Sequence, residues 1–311
     1  MDGSIRVGIL YESGEWSDFK LRDEVQRFLK EQAPSGAQDA SPGEAVLIDM
    51  EEPRCIEEAL QCTLLVSRVF ASARFRGHSA SHRAMERLIP AAENAGIPLL
   101  NPGIAHGYEV DKRAATEALG RAGMAVPAIY ACGLSQSIDA ASLPYPCIIK
   151  PNCGGRTTAT ALAADSAEAE RFLAGAPAIE FIAQQYIEPI MGFITRAEVV
   201  DGAVPLIVKR SVAEGGLSAY HLGSRYSIYR PHPQAIEAAV LKAAETLGFA
   251  FGSFDIIETP RGAFFIDANS VSNVSEDCTE LFGYDLMAAY GKALARRARA
   301  AAAEGDPRPQ A

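Results

Sequence analysis

The stretch from Phe254 to Asn269 limits what this chain can fold into more than any other. Phe254-Asp255-Ile256-Ile257-Glu258 is followed by Thr259-Pro260-Arg261-Gly262 and then by Ala263-Phe264-Phe265-Ile266-Asp267-Ala268-Asn269. Apolar residues at 254, 256, 264 and 266 flank a Pro/Gly turn, so the spacing predicts two antiparallel strands. Alternation aims Asp255 to the face opposite Phe254 and Ile256, and sets Asp267 and Asn269 together on one face of the return strand. Three hard oxygen donors on paired strands suit Mg²⁺, which takes one or two carboxylates and leaves its other positions to water and phosphate. An ordinary hairpin with a polar, wet face carries the same pattern, so neighbouring motifs must decide between the two.

Upstream, Tyr145-Pro146-Cys147-Ile148-Ile149-Lys150-Pro151-Asn152-Cys153-Gly154-Gly155-Arg156-Thr157-Thr158 is a short apolar strand that ends in a lysine and runs into a glycine pair. A lysine at that position can set a point charge on a phosphate, and Gly154-Gly155 can let backbone N–H groups approach phosphate oxygens. No Gly-Lys-Ser/Thr opens a helix here, so this is not a P-loop of the Walker type. Further back stand Asn101-Pro102 and then Asp111-Lys112, which opens a helical run through Arg121. A structural strand end and a solvated helix lysine explain each motif taken singly.

Taken in order, these motifs resemble the ATP-grasp superfamily, closest to the RimK-like branch of its carboxylate–amine ligases, over roughly residues 60 to 295. The sequence Phe181-Ile182-Ala183-Gln184-Gln185-Tyr186-Ile187-Glu188, between the glycine loop and the acid hairpin, matches the family's hinge. The resemblance implies an α/β chain with α+β subdomains: an ATP-grasp fold behind an N-terminal open parallel α/β domain. It implies ATP and Mg²⁺ as cofactors, and a carboxylate activated as an acyl phosphate that an amine then displaces. For ATP it points to Lys112, Lys150, Gly154, Gly155, Arg156 and Thr157. It also points to Gln184, Gln185, Tyr186 and Ile187 along the adenine edge and Glu188 at the ribose. Asp255, Asp267 and Asn269 correspond to the metal ligands, and Arg196, Lys209 and Arg210 to cations at the reacting phosphates.

The chain departs from the family in four places. Phe193-Ile194-Thr195 stands where the arginine at 196 is usually preceded by Asp-Ile. Asp267 replaces the usual glutamate, the glycine loop is reduced to Gly-Gly-Arg-Thr-Thr, and Ser270-Val271-Ser272-Asn273 follows the metal-site asparagine. Two further readings therefore stay open: a nucleotide-binding module without catalysis, and a kinase acting on a small hydroxylated molecule.

At the N-terminus, Ile5–Leu10 reads as an apolar strand and 18–32 as a helix, with further strands at 45–49 and 63–68 and a helix at 81–95. Alternating β and α elements predict a small parallel sheet, whose ligands bind beyond the carboxyl ends of the strands. Tyr11, Glu12, Ser67 and Arg68 occupy those ends and, with Ser270, are the candidates for the acceptor substrate. The expected domains are 1–105, a nucleotide-clasping subdomain at 106–190, a metal-site subdomain at 191–303 and a flexible tail at 304–311. Glu214–Tyr226, rich in Gly, Ser and Tyr, reads as a closing loop.

Composition agrees with a globular enzyme: 48% of the 311 residues are apolar and 22% are charged. A net charge of −10 argues against a nucleic-acid partner. Six cysteines show no CxxC spacing, and neither a basic leader nor an apolar run of about 18 residues is evident. These features favour a cytoplasmic protein with reduced thiols and no membrane contact. Its partners are then a small-molecule or peptide carboxylate and an amine, and a homo-oligomer is compatible with all of this.

Overall fold

The computed structural model describes residues 4–31, 43–213, 216–218, 223–272 and 274–304. They fall into two compact units, one built from residues up to Gly103 together with those from Val271 onward, the other from Ile104–Ser270. Six of the 13 residues of the closing loop expected at Glu214–Tyr226 lie outside the described residues, and so does nearly all of the expected tail.

The first unit alternates β1 (Arg6–Tyr11), α1 (Trp16–Glu31), β2 (Glu44–Asp49), α2 (Cys55–Ala59), β3 (Leu64–Ser67), α3 (Ser79–Asn94) and β4 (Leu99–Leu100). The strands form the parallel sheet that alternation demands, in the order β2-β1-β3-β4. Its strands read as near-continuous apolar runs because helices cover the sheet, and Leu10, Ile48, Leu65, Met85 and Leu88 meet in one core.

The second unit begins with α4 (Gly103–Val110) and α5 (Lys112–Arg121) and contains two antiparallel sheets. The smaller, ordered β5-β8-β6-β7, is made of β5 (Ile129–Leu134), β6 (Cys147–Pro151), β7 (Ala161–Ala163) and β8 (Glu180–Gln185), with α6 (Ser166–Gly175). Cys147, Ile149, Phe181 and Ala183 turn to the core on one face. Ile148, Lys150, Ile182 and Gln184 share the other, as their pairing requires. The larger sheet, ordered β11-β10-β9-β12-β13, comprises β9 (Phe193–Val200), β10 (Ala203–Ser211), β11 (Tyr226–Ile228), β12 (Phe251–Thr259) and β13 (Gly262–Asn269). One face is sealed by α5 and by α7 (Gln234–Leu247), whose Ile236, Val240 and Leu247 share a core with Ala197, Val199, Phe254 and Ile256.

The chain returns to the first unit with α8 (Cys278–Phe282) and α9 (Leu286–Glu304). Residues 286–303, grouped by sequence with the metal-site hairpin, instead pack on α1. The cause is an apolar stripe of Leu286, Met287, Tyr290, Leu294 and Ala298 that is buried along the helix. Gly291 lets the two backbones approach: a Cβ there would stand 2.6 Å from Glu24 Cβ and 2.9 Å from the Glu24 carbonyl carbon. Gly→Ala on an open helix is stabilising by about 1 kcal/mol. At this contact the sign should reverse. Gly291→Ala is expected to lower stability by about 1–3 kcal/mol in urea unfolding, and a stabilised variant would contradict the packing described.

Candidate active site

A one-residue irregularity in β13 builds the centre of the second unit. From the turn, Thr259 pairs with Gly262, Ile257 with Phe264 and Ile256 with Phe265; beyond that point Asp255 pairs with Asp267 and Ser253 with Asn269. Ile266 is the extra residue of a β-bulge. Continued without the slip, the register would set Asp267 opposite Phe254, on the face packed into the core. The bulge moves Asp267 to the opposite face, directly across from Asp255. On the core face Phe265 packs on Phe254, with ring centroids 5.6 Å apart. Gly252 permits the close strand approach beside Asn269, where a Cβ would meet the Asn269 carbonyl oxygen at 2.4 Å.

Cross-strand pairing divides this second face of the sheet into three rows. Ile194, Ile257, Phe264 and Ile266 make an apolar zone that packs with Ile187 from the hinge after β8. Next come Arg196, Asp255 and Asp267, paired across β9, β12 and β13. Beyond them, Glu198, Ser253 and Asn269 are paired in the same way.

Cations converge on the middle row. Arg210 Nη2 donates to Asp255 Oδ2 at 2.9 Å, and Arg196 Nη1 approaches Asp255 Oδ1 at 3.4 Å while its Nε donates to Glu198 Oε1 at 2.8 Å. Lys112 Nζ donates to Asp267 Oδ1 at 2.5 Å. Lys150 Nζ lies 4.0 Å from the same carboxylate and donates at 3.0 Å to the carbonyl of Ile266, the bulged residue. Asp255 and Lys112 are buried, Lys150, Arg196 and Arg210 are nearly so, and the Asp267 side chain is 24% exposed.

Hydrogen bonds around the cluster explain how two lysines from distant segments meet. Asp111 caps α5 by accepting from Ala114 N at 2.9 Å. Asn152, two residues after Lys150, accepts from Arg113 N at 2.9 Å and donates to Asp111 Oδ1 at 3.0 Å, and its carbonyl accepts from Lys112 N. Asn152 thus ties the start of α5 to the end of β6. Glu109, buried at the end of α4, accepts from Ser270 N at 2.6 Å and fixes the chain just past Asn269. In the sequence Glu109 carries only a faint signal, an acid two residues before Asp111-Lys112.

Burial sets the protonation of these groups. It pushes the Lys150 ammonium down to about 8, against the pull of Asp267 and with the help of Lys112. Burial would also depress Lys112, but Asp267 outweighs it and holds that ammonium above the ordinary lysine value. Asp267 is held below the usual carboxylate range because Lys112 and Lys150 overcome the effect of its burial.

Lys209 is a correction. Neighbours on a strand point to opposite faces, so Lys209 and Arg210 cannot both reach the middle row. Arg210 does; Lys209 lies on the helix-covered side, its Nζ 4.4 Å from the Tyr229 ring centroid and 4.6 Å from that of Phe193.

Gln184 and Gln185 end β8, and Tyr186, Ile187 and Glu188 follow it, Ile187 buried and Glu188 exposed. In the loop between β6 and β7 after Gly154-Gly155, Arg156 (φ 59°), Thr157 (φ 58°) and Ala159 (φ 51°) hold left-handed backbone without being glycine. That conformation is costly for a β-branched threonine and marks a constrained turn. Asp255, Asp267 and Asn269 offer hard oxygens on adjacent strands, a donor set that fits Mg²⁺ shared with phosphate. Among the described residues no group of three or more His, Cys, Asp or Glu could hold a metal on its own.

Tyr11, Glu12, Ser67 and Arg68 belong to the first unit, at the carboxyl ends of β1 and β3. Arg68 is buried, and its Nε, Nη1 and Nη2 donate to Asp18 Oδ1, the Ser272 carbonyl and Ser17 Oγ at 3.0, 2.9 and 2.6 Å. These partners account for its burial and correct its place among the acceptor-substrate candidates. Glu12 is paired with Arg76 and accepts from Phe70 N at 3.1 Å, and burial pushes its carboxyl up to about 7 against the pull of Arg76.

Residues 111–287 match the family model of the RimK-like ATP-grasp domain, and the chain belongs to that family. A "Probable alpha-L-glutamate ligase" of Desulfotalea psychrophila is 31% identical over 187 residues, which are 57% of this chain but only 39% of the relative. A RimK domain ATP-grasp protein from Sphaerobacter thermophilus superposes with a TM-score of 0.65 at 20% identity, covering 93% of this chain and 98% of that one. The ATP-grasp ligase PsnB, solved with a minimal precursor, Mg and ADP, gives 0.62 at 15% identity over 96% of this chain and 99% of its own. Among the described residues no helix is long and apolar enough to cross a membrane.

The displaced lysine gives a pH test. With its folded pKa near 8 and its unfolded value near 10.5, Lys150 binds fewer protons in the folded than in the unfolded chain between those values. Its contribution to stability therefore rises with pH across that window, by roughly 3 kcal/mol at most. Stability of the wild type relative to Lys150→Met, followed by urea unfolding from pH 8 to 10.5, should climb. A flat difference would contradict the depressed value.

Proposed function

We propose that this chain is an ATP- and Mg²⁺-dependent ligase that joins a carboxylate to an amine through an acyl phosphate. The observation that carries the reading is the middle row of the large sheet, where Lys112, Lys150, Arg196 and Arg210 surround Asp255 and Asp267. Such a cluster suits phosphoryl transfer, in which positioning and charge neutralisation supply most of the catalysis and no dedicated base is required.

In this reading Ile187 and the apolar row lie under the base, Gln184 to Glu188 line its edge and ribose, and the loop from Gly154 to Thr157 covers the phosphates. Asp255, Asp267 and Asn269 would hold Mg²⁺, which when bound neutralises phosphate oxygens and aligns them. The ion pairs of the middle row keep the lysines and arginines charged and oriented until phosphate oxygens replace the carboxylates as their partners. A substrate carboxylate oxygen attacks the γ-phosphorus and ADP departs. The amine nitrogen then attacks the acyl carbon, phosphate leaves and the nitrogen sheds a proton, giving an amide, ADP and phosphate. Membership of the RimK-like family and the likeness to an alpha-L-glutamate ligase support an amino acid or peptide as substrate.

ADP and phosphate release, followed over amino acids, short peptides and hydroxy acids, should require a carboxylate and an amine together. Phosphate retained on a hydroxylated product would indicate a kinase, and bound MgATP with no ADP an inactive module. Lys150→Met should weaken ATP binding and lower turnover on the order of 10²-fold; wild-type behaviour of both would remove it from the site.

A further inference from the structure

The third row of the large sheet has a chemistry unlike its neighbours. Glu198, Ser253 and Asn269 face the same way as the middle row, because Ser253 pairs with Glu198 on one side and Asn269 on the other. Where the middle row brings together lysines and arginines, the third offers a carboxylate, a hydroxyl and an amide. Ser253 is wholly buried, and among the described residues its Oγ has no hydrogen-bond partner. Leaving a buried hydroxyl unpaired costs free energy that an alanine would not, so a serine kept there signals a partner supplied from outside the chain. Glu198 is also buried, and Arg196 Nε meets its Oε1 at 2.8 Å. That contact links the third row to the proposed phosphate row.

We propose that Glu198 and Ser253 form the subsite for the nucleophile and that they recognise a primary amino group. The inference rests on the ligase reading above and adds which residues select the acceptor. A carboxylate and a hydroxyl oxygen accept hydrogen bonds, and an amino group supplies N–H donors to both. A hydroxyl acceptor offers a single donor and cannot satisfy both oxygens, so the pair discriminates against the oxygen analogue. The position follows from the strand register. One strand row, two residues along each strand, separates this pair from Asp255 and Asp267, so an amine held here lies beside the phosphate row and outside the zone of the base.

The test begins with the primary amine that drives the fastest ADP release among the common amino acids and their dipeptides, compared with its hydroxy-acid counterpart. Ser253→Ala should raise the KM for the amine on the order of 10-fold and leave the KM for ATP unchanged. Glu198→Gln, which keeps an oxygen for Arg196, should do the same and erode the preference for amine over hydroxyl. Without ligand, Ser253→Ala should unfold at the same or a higher urea concentration than the wild type, because no internal bond is lost. Three results overturn the proposal: an unchanged amine KM in both variants, a loss confined to ATP, or a lowered urea midpoint for Ser253→Ala. If the wild type itself releases no ADP with any amine, the ligase reading fails and this subsite with it. An active wild type with unaffected variants overturns the subsite alone.

Discussion

The arrangement of the second unit depends on one extra residue in β13. Because side chains alternate with a period of two, inserting Ile266 reverses the facing of everything after it, and Asp267 leaves the hydrophobic core to stand opposite Asp255. The same bulge directs the Ile266 carbonyl to Lys150, so one local irregularity sets both a carboxylate and a backbone acceptor beneath the lysine of another sheet. A regular hairpin of this sequence would bury Asp267 against Phe254 and Phe265, at a desolvation cost no aspartate there could recover.

Ion pairing then makes the cluster tenable. Removing one member of a buried pair typically costs 3–5 kcal/mol, because its partner is left charged and uncompensated. Lys112 with Asp267, and Asp255 between Arg196 and Arg210, avoid that penalty. Lys150 is the least compensated of these cations: its closest contact is a carbonyl, its carboxylate neighbour lies at 4.0 Å, and its pKa falls accordingly. On the proposed reading, phosphate oxygens would relieve that deficit.

Much of this was legible in the sequence, for identifiable reasons. Strand periods, the Asp111 cap and the Pro/Gly turn are local signals, and each led to an element within a few residues of its position. The order of motifs across the chain gave the family. The bulge at Ile266 cannot be read from sequence, since it changes register without changing composition, and the face of Lys209 follows strand alternation rather than the family correspondence. Arg68 was misread because its partner Asp18 lies 50 residues away on α1. The unit to which α9 belongs depends on a helix–helix contact made through Gly291, invisible in a local pattern. Asn152 and Glu109 each hold a backbone N–H far off in sequence, that of Arg113 and that of Ser270, and a local pattern does not announce such roles.

The central claim is that Asp255 and Asp267, brought face to face by the bulge, hold a divalent metal together with a nucleotide. Mn²⁺ binding in the presence of ADP, measured by electron paramagnetic resonance, addresses it without reference to any substrate. The wild type should bind Mn²⁺ more tightly with ADP than without it. Asp255→Asn and Asp267→Asn, with folding verified by circular dichroism, should each weaken that binding by on the order of 10-fold or more. Folded variants that bind Mn²⁺ and ADP as the wild type does would contradict the account.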